Sequence, residues 1–133
     1  IKVVAPLRGK ALGFVLAFKA YQDVADHQSG IMVIQPQGYL EFSYLTAHAM
    51  GVITDSGNVA EEATFNGVPC ITLNSYTEHM ETVTVGTNEL VAEDPEKLQN
   101  AMEKILNGEW KKAGIPDRWD GRSAERIVQI LAE

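Results

Sequence analysis

The sequence is short of several things, and each shortage narrows what it can be. Among 133 residues there is one cysteine, Cys70. A single thiol forbids an intramolecular disulfide and offers no metal-ligand spacing. Cys70 lies inside the apolar run Val68–Leu73, which reads as a buried packing position rather than a reactive thiol. Cations are scarce: 11 Lys and Arg stand against 18 Asp and Glu, for a formal charge of −7. Phosphate backbones demand clustered Lys and Arg, so no nucleic-acid partner is expected. A small phosphate ligand survives that argument, because a helix N-terminus can hold one locally. Apolar runs such as Ala11–Phe18 are too short to span a bilayer, so no membrane partner is expected. Nothing resembles a signal peptide, and a cytoplasmic protein is the expectation. The chain opens at Ile1, without an initiator Met and inside a strand-like run. A natural start seldom falls there, so a fragment of a longer chain is expected.

What is present is an alternation of short β-branched runs and longer helical patterns. Strands are predicted at Lys2–Ala5, Ile31–Ile34, Gly51–Thr54, Pro69–Leu73 and Glu89–Val91. Helices are predicted at Gly9–Tyr21, Tyr39–His48, Asn58–Asn66 and His79–Val85. Asn66-Gly67 followed by Pro69 reads as a helix stop. Another helix starts at Asp94-Pro95, with Leu98, Met102, Ile105 and Leu106 as its apolar stripe. A last helix spans Gly121–Ala132, with Ala124, Ile127, Val128 and Leu131 facing in. Nearly continuous apolar strands are buried on both faces, which predicts one α/β domain over residues 1–133 with a doubly wound parallel sheet. Right-handed crossovers place every strand-to-helix turn at one sheet edge, where ligands bind.

The richest of these turns is Thr54-Asp55-Ser56-Gly57-Asn58. Small residues there permit tight turning into a helix whose first N–H groups are free. Their partial positive charge suits a phosphate. Ser56 adds a hydroxyl. Glu61 and Glu62 follow one turn later, and a carboxylate accepts two hydrogen bonds from a ribose diol. The spacing therefore suits a nucleoside diphosphate. It equally suits Asp55 or Ser56 simply capping the helix.

Six segments in order carry a family resemblance. Pro36-Gln37-Gly38-Tyr39-Leu40-Glu41-Phe42 resembles P-x-x-Y-x-x-F, and Thr54 to Ala63 resembles T-D-S-G-G-hydrophobic-x-E-E-A. Gly67 to Leu73 resembles G-x-P-C-x-T-L, and Thr77-Glu78 with Glu81-Thr82-Val83 resembles T-E-R-P-E-T-V. Gly86 to Val91 resembles G-T-N-x-L-hydrophobic, and Ile115 to Ile127 resembles I-P-x-h-W-D-G-K/R-A-A-E-R-I. Together they resemble the C-terminal half of the non-hydrolysing UDP-N-acetylglucosamine 2-epimerases.

The resemblance implies a Rossmann-like domain that forms one half of a GT-B-type two-domain enzyme and holds UDP. By matching position, Phe42 packs near the uracil, Ser56, Gly57 and Asn58 meet the diphosphate, and Glu62 holds the ribose. A core role for Phe42 stays open. Glu61 is expected to face solvent or serve structure. The family's reaction interconverts UDP-GlcNAc and UDP-ManNAc by elimination and re-addition of UDP, with catalytic groups outside this chain. No catalytic residue, metal or cofactor is therefore assigned here. The implied partners are the UDP-sugar, the missing N-terminal domain and, in full-length form, a second copy. Alternatives are the nucleotide-sugar half of a GT-B glycosyltransferase and a non-catalytic binding domain. Departures bear on this: His79 and Met80 stand where the pattern has Arg and Pro, Asn74 where Arg is common, and Asn58 where it has Gly. His79 is either an intermittent cation or an ordinary surface residue. Asn tolerates left-handed backbone better than most residues, so the turn is expected to survive Asn58. His27 and His48 read as surface residues, Trp110 and Trp119 as packing anchors.

Overall fold

The computed structural model describes residues 2–11 and 30–133, which fall in two compact units, 1–42 and 43–133. The helix predicted over Gly9–Tyr21 lies mostly outside the described residues, as does His27.

In the first unit, β1 (Val3–Pro6) and β2 (Ile31–Ile34) pair in parallel, with Val3 opposite Ile31 and Pro6 opposite Ile34. Helix α1 (Tyr39–Ala47) starts as predicted, with the Gly38 carbonyl accepting from the Phe42 N–H at 2.9 Å.

In the second unit, β3 (Val52–Thr54), β4 (Cys70–Thr72) and β5 (Asn88–Leu90) form a parallel sheet in that order. Val52, Cys70 and Asn88 are in register. All five predicted runs become strands and every pairing is parallel. They form two sheets rather than the single one predicted, divided as the chain divides into its two units.

β4 is the centre of the second unit, and its alternation explains the layers. Cys70 joins Ala60, Ala63 and Val68 in one buried cluster, so helix α2 (Gly57–Asn66) covers that side. Ile71 joins Val91 and Ala101 in another, with Leu98, Ile105 and Trp110 against it. Helix α4 (Pro95–Leu106) supplies that opposite cover. Small residues let α2 approach closely. Gly86 makes the same point: a Cβ there would lie 2.7 Å from the Thr82 carbonyl and closer still to the Thr64 side chain. α2 ends as its sequence predicts, with Gly67 in the left-handed region (φ 69°) and the Val68 N–H donating to the Ala63 carbonyl.

Two predicted helices need correction. α3 covers only Glu81–Thr84, leaving His79 in the loop that enters it. α5 (Ser123–Ala132) forms, but its apolar stripe does not face in: Ile127 is 56% exposed, Val128 64% and Leu131 80%. Ala124 is exposed as well. The periodicity marks a face suited to burial, and nothing among the described residues covers it. The irregular stretch before α5 is pinned by side chains: Trp110 Nε1 donates to the Thr87 carbonyl at 2.8 Å, and Lys111 Nζ to the carbonyls of Val83 (2.6 Å) and Asn88 (2.5 Å). Trp110 is thus the packing anchor predicted, and Trp119 is half-buried.

Candidate functional site

The site begins where β3 ends. The Thr54 hydroxyl accepts from the Ser56 N–H at 3.0 Å, and Asn74 Nδ2 donates to the Asp55 carbonyl at 3.0 Å. These two bonds brace the turn that enters α2. Ser56 is extended (φ −98°, ψ 124°) and makes no side-chain capping bond. α4 shows the contrast: Asp94 Oδ1 accepts from the N–H groups of Glu96 (3.0 Å) and Lys97 (3.2 Å). The capping role left open for Ser56 is therefore not the one it has. The start of α2 keeps its free N–H groups and its positive dipole end.

That helix start opens on a polar cleft of about 250 Å³. Residues Asp55–Asn58 form one wall; Thr72, Asn74 and residues 76–79 form the other. The cleft lies past the carboxyl ends of β3 and β4, where a doubly wound sheet binds ligands. Its size falls below the roughly 300–1,000 Å³ of a complete small-molecule site, in keeping with one wall of a larger one.

Of the predicted residues, Ser56, Gly57, Asn58 and His79 come together on this cleft. Glu62 is half-buried on α2 and is not on the lining; Phe42 is half-buried on α1, in the other unit. Asn58 sits inside α2 without positive φ, so no left-handed tolerance is called on. Thr72, Tyr76, Thr77 and Glu78 line the cleft without having been singled out from sequence. The signal was available: β4 is parallel to β3, so its carboxyl end must flank the same cleft. Thr72 is fixed there by a buried chain, its hydroxyl donating to Asn88 Oδ1 (2.7 Å) while Asn88 Nδ2 donates to the Thr82 hydroxyl (3.1 Å).

His79 is held at two edges of its ring. Its Nδ1 lies 3.0 Å from Glu61 Oε1, so Glu61 is structural rather than merely solvated. The opposite edge of its ring abuts the helix start: a Cβ on Gly57 would sit 3.1 Å from His79 Cδ2 and 3.6 Å from Nε2. Glycine at 57 is what lets the ring come so near. Glu81 brings a third donor atom, the three lying within 4.8 Å of one another. His79 and Glu61 partner each other here, through His79 Nδ1 and Glu61 Oε1. Cys70 is fully buried, and burial pushes its thiol up to about 11, so it stays neutral at pH 7 and supplies no nucleophile.

Comparison with known proteins is consistent in direction. A family model described as UDP-N-acetylglucosamine 2-epimerase matches residues 3–132. A curated UDP-N-acetylglucosamine 2-epimerase of Methanocaldococcus jannaschii is 50% identical over 102 residues, covering 76% of this chain and 27% of the relative. The solved structure of the UDP-GlcNAc 2-epimerase from that organism superposes with a TM-score of 0.79 at 39% identity, over 98% of this chain and 36% of the other. A second structure from the same organism, in complex with UDP-GlcNAc and UDP, gives 0.78 at 39% identity, over 98% and 35%. The chain thus spans about a third or less of the relatives it matches.

Proposed function

The chain belongs to the UDP-N-acetylglucosamine 2-epimerase family, and on that premise we propose that residues 1–133 are the C-terminal, UDP-binding domain of a longer epimerase. The observation that carries this is the uncapped start of α2 opening on a polar cleft past β3 and β4. In this reading the diphosphate lies against Ser56 and the amides of Gly57 and Asn58. The ribose diol rests on Glu62, and the uracil lies near Phe42.

The longer protein interconverts UDP-GlcNAc and UDP-ManNAc. UDP leaves by elimination and returns after protonation on the other face of C2. This domain's share is electrostatic: free amides and a helix dipole stabilise the charge growing on the departing diphosphate. General acid and base groups come from the N-terminal domain across the cleft. The small cleft and the uncovered face of α5 support such a missing partner. The full-length protein is read as a cytoplasmic homodimer. No helix among the described residues is long and apolar enough to cross a membrane.

Calorimetric titration tests the site. UDP binds this chain weakly and uridine more weakly still. Glu62→Gln removes a charged acceptor worth on the order of 1.5–3 kcal/mol, so UDP affinity drops roughly tenfold or more. Unchanged affinity in Glu62→Gln would remove the ribose from Glu62. Incubated with UDP-GlcNAc, the chain alone forms no UDP-ManNAc by NMR; turnover above buffer would contradict the placement of the acid and base groups elsewhere.

A further inference from the structure

The cleft has a charge problem. A diphosphate is anionic, yet Asp55 and Glu78 stand on the lining and, among the described residues, no Lys or Arg does. Among the described residues, the ionisable nitrogen on the lining belongs to His79. Its backbone is held from both sides: the His79 N–H donates to the Thr77 hydroxyl at 3.1 Å, and the His79 carbonyl accepts from the Thr82 hydroxyl at 2.7 Å. Its ring is held too, with Nδ1 on Glu61 and the Cδ2–Nε2 edge against Gly57 at the helix start.

This orientation fixes what each protonation state can do. With Nδ1–H donated to Glu61, a neutral ring turns the bare lone pair of Nε2 towards the cleft. A lone pair repels an anionic phosphate oxygen. The protonated ring keeps its bond to Glu61 and presents Nε2–H as a charged donor beside the free amides of α2. We infer that His79, oriented by Glu61, is a proton-gated phosphate clamp: the nucleotide diphosphate binds with uptake of a proton on His79, and binding tightens as pH falls. The inference rests on the UDP site proposed above. Glu61 is a positioning residue: its Oε1, 3.0 Å from Nδ1, sets which ring edge meets the helix start. The other ionisable groups around the ring are Glu81 on α3, and Asp55 and Glu78 on the cleft lining. All are carboxylates, so none offers the phosphate a competing cation.

The test is the affinity of the chain for UDP-GlcNAc between pH 5.5 and 8.5, by NMR or calorimetry. UDP-GlcNAc is the probe because UDP itself loses a terminal phosphate proton at about pH 6. Affinity is expected to rise as pH falls through the imidazole range, and heats in buffers of different ionisation enthalpy to report proton uptake. His79→Gln abolishes both effects and lowers affinity at pH 5.5 about tenfold, the loss of one charged hydrogen bond. His79→Arg binds tightly at every pH. Glu61→Gln, which loosens the ring, lowers affinity at pH 5.5, and His79→Arg in the same background restores it, a rescue that a purely structural role would not allow. Binding that is flat with pH and free of proton uptake overturns the clamp while leaving the UDP site standing. No binding at any pH, in parent and His79→Arg alike, overturns the site and the clamp with it.

Discussion

Helices α2 and α5 are of equal length, and the structure treats them in opposite ways. α2 carries a weak apolar pattern, yet Ala60, Ala63 and Thr64 are fully buried against the sheet. α5 carries a strong one, with Ile127, Val128, Ile130 and Leu131, and buries nothing. Helical periodicity therefore reports which face a helix can bury. Whether it is buried depends on a second surface. α2 finds that surface in β3 and β4. α5 does not find it among the described residues, and the proposed N-terminal domain is where we place it.

The comparison can be broken by substitution. The largest effect belongs beneath α4: Ile71→Ala removes a fully buried side chain on β4 and costs about 2–5 kcal/mol in urea unfolding. Ala63→Leu on α2 forces bulk between helix and sheet, where Ala63 has no exposed surface, and costs about 1–3 kcal/mol. Leu131→Ala on α5 repeats the chemistry of the first change at an exposed position and costs no more than about 0.5 kcal/mol in this chain. In the longer protein the same change costs distinctly more if the missing domain covers α5. Equal, small costs in both would leave the stripe without the partner proposed for it.

The smallest effect sits at the start of α5. Asp120 Oδ1 accepts from the Arg122 N–H at 3.0 Å, and its carboxylate pairs with Arg126. The Arg126 hydrogen bond, with the Arg122 N–H, holds the Asp120 carboxyl down to about 2 from an ordinary 3.8. A depressed carboxyl stabilises the fold above its unfolded value, and that contribution is lost as pH falls from about 4 to 2. NMR titration of Asp120 should place its midpoint near 2. A midpoint near 3.8 would show the tether to be broken in solution.

Much of this was legible in the sequence. The alternation of runs located all five strands, and Asn66-Gly67 located the end of α2. Ser56, Gly57, Asn58 and His79 do meet on one cleft. What escaped were facts about neighbours rather than about local pattern. The bond between His79 and Glu61 joins a loop to a helix across 18 positions of sequence (79 − 61), and no spacing rule links them. Thr72 reaches the cleft only because β4 lies beside β3. The exposure of α5 depends on surface that periodicity cannot supply.

The most direct test of the central claim is a titration of ¹⁵N-labelled chain with UDP, reading backbone amides. Saturable shifts should be largest at Ser56, Gly57, Asn58 and His79, negligible along α5, and much reduced when uridine replaces UDP. Largest shifts away from the start of α2, or equal responses to UDP and uridine, would contradict a diphosphate site there.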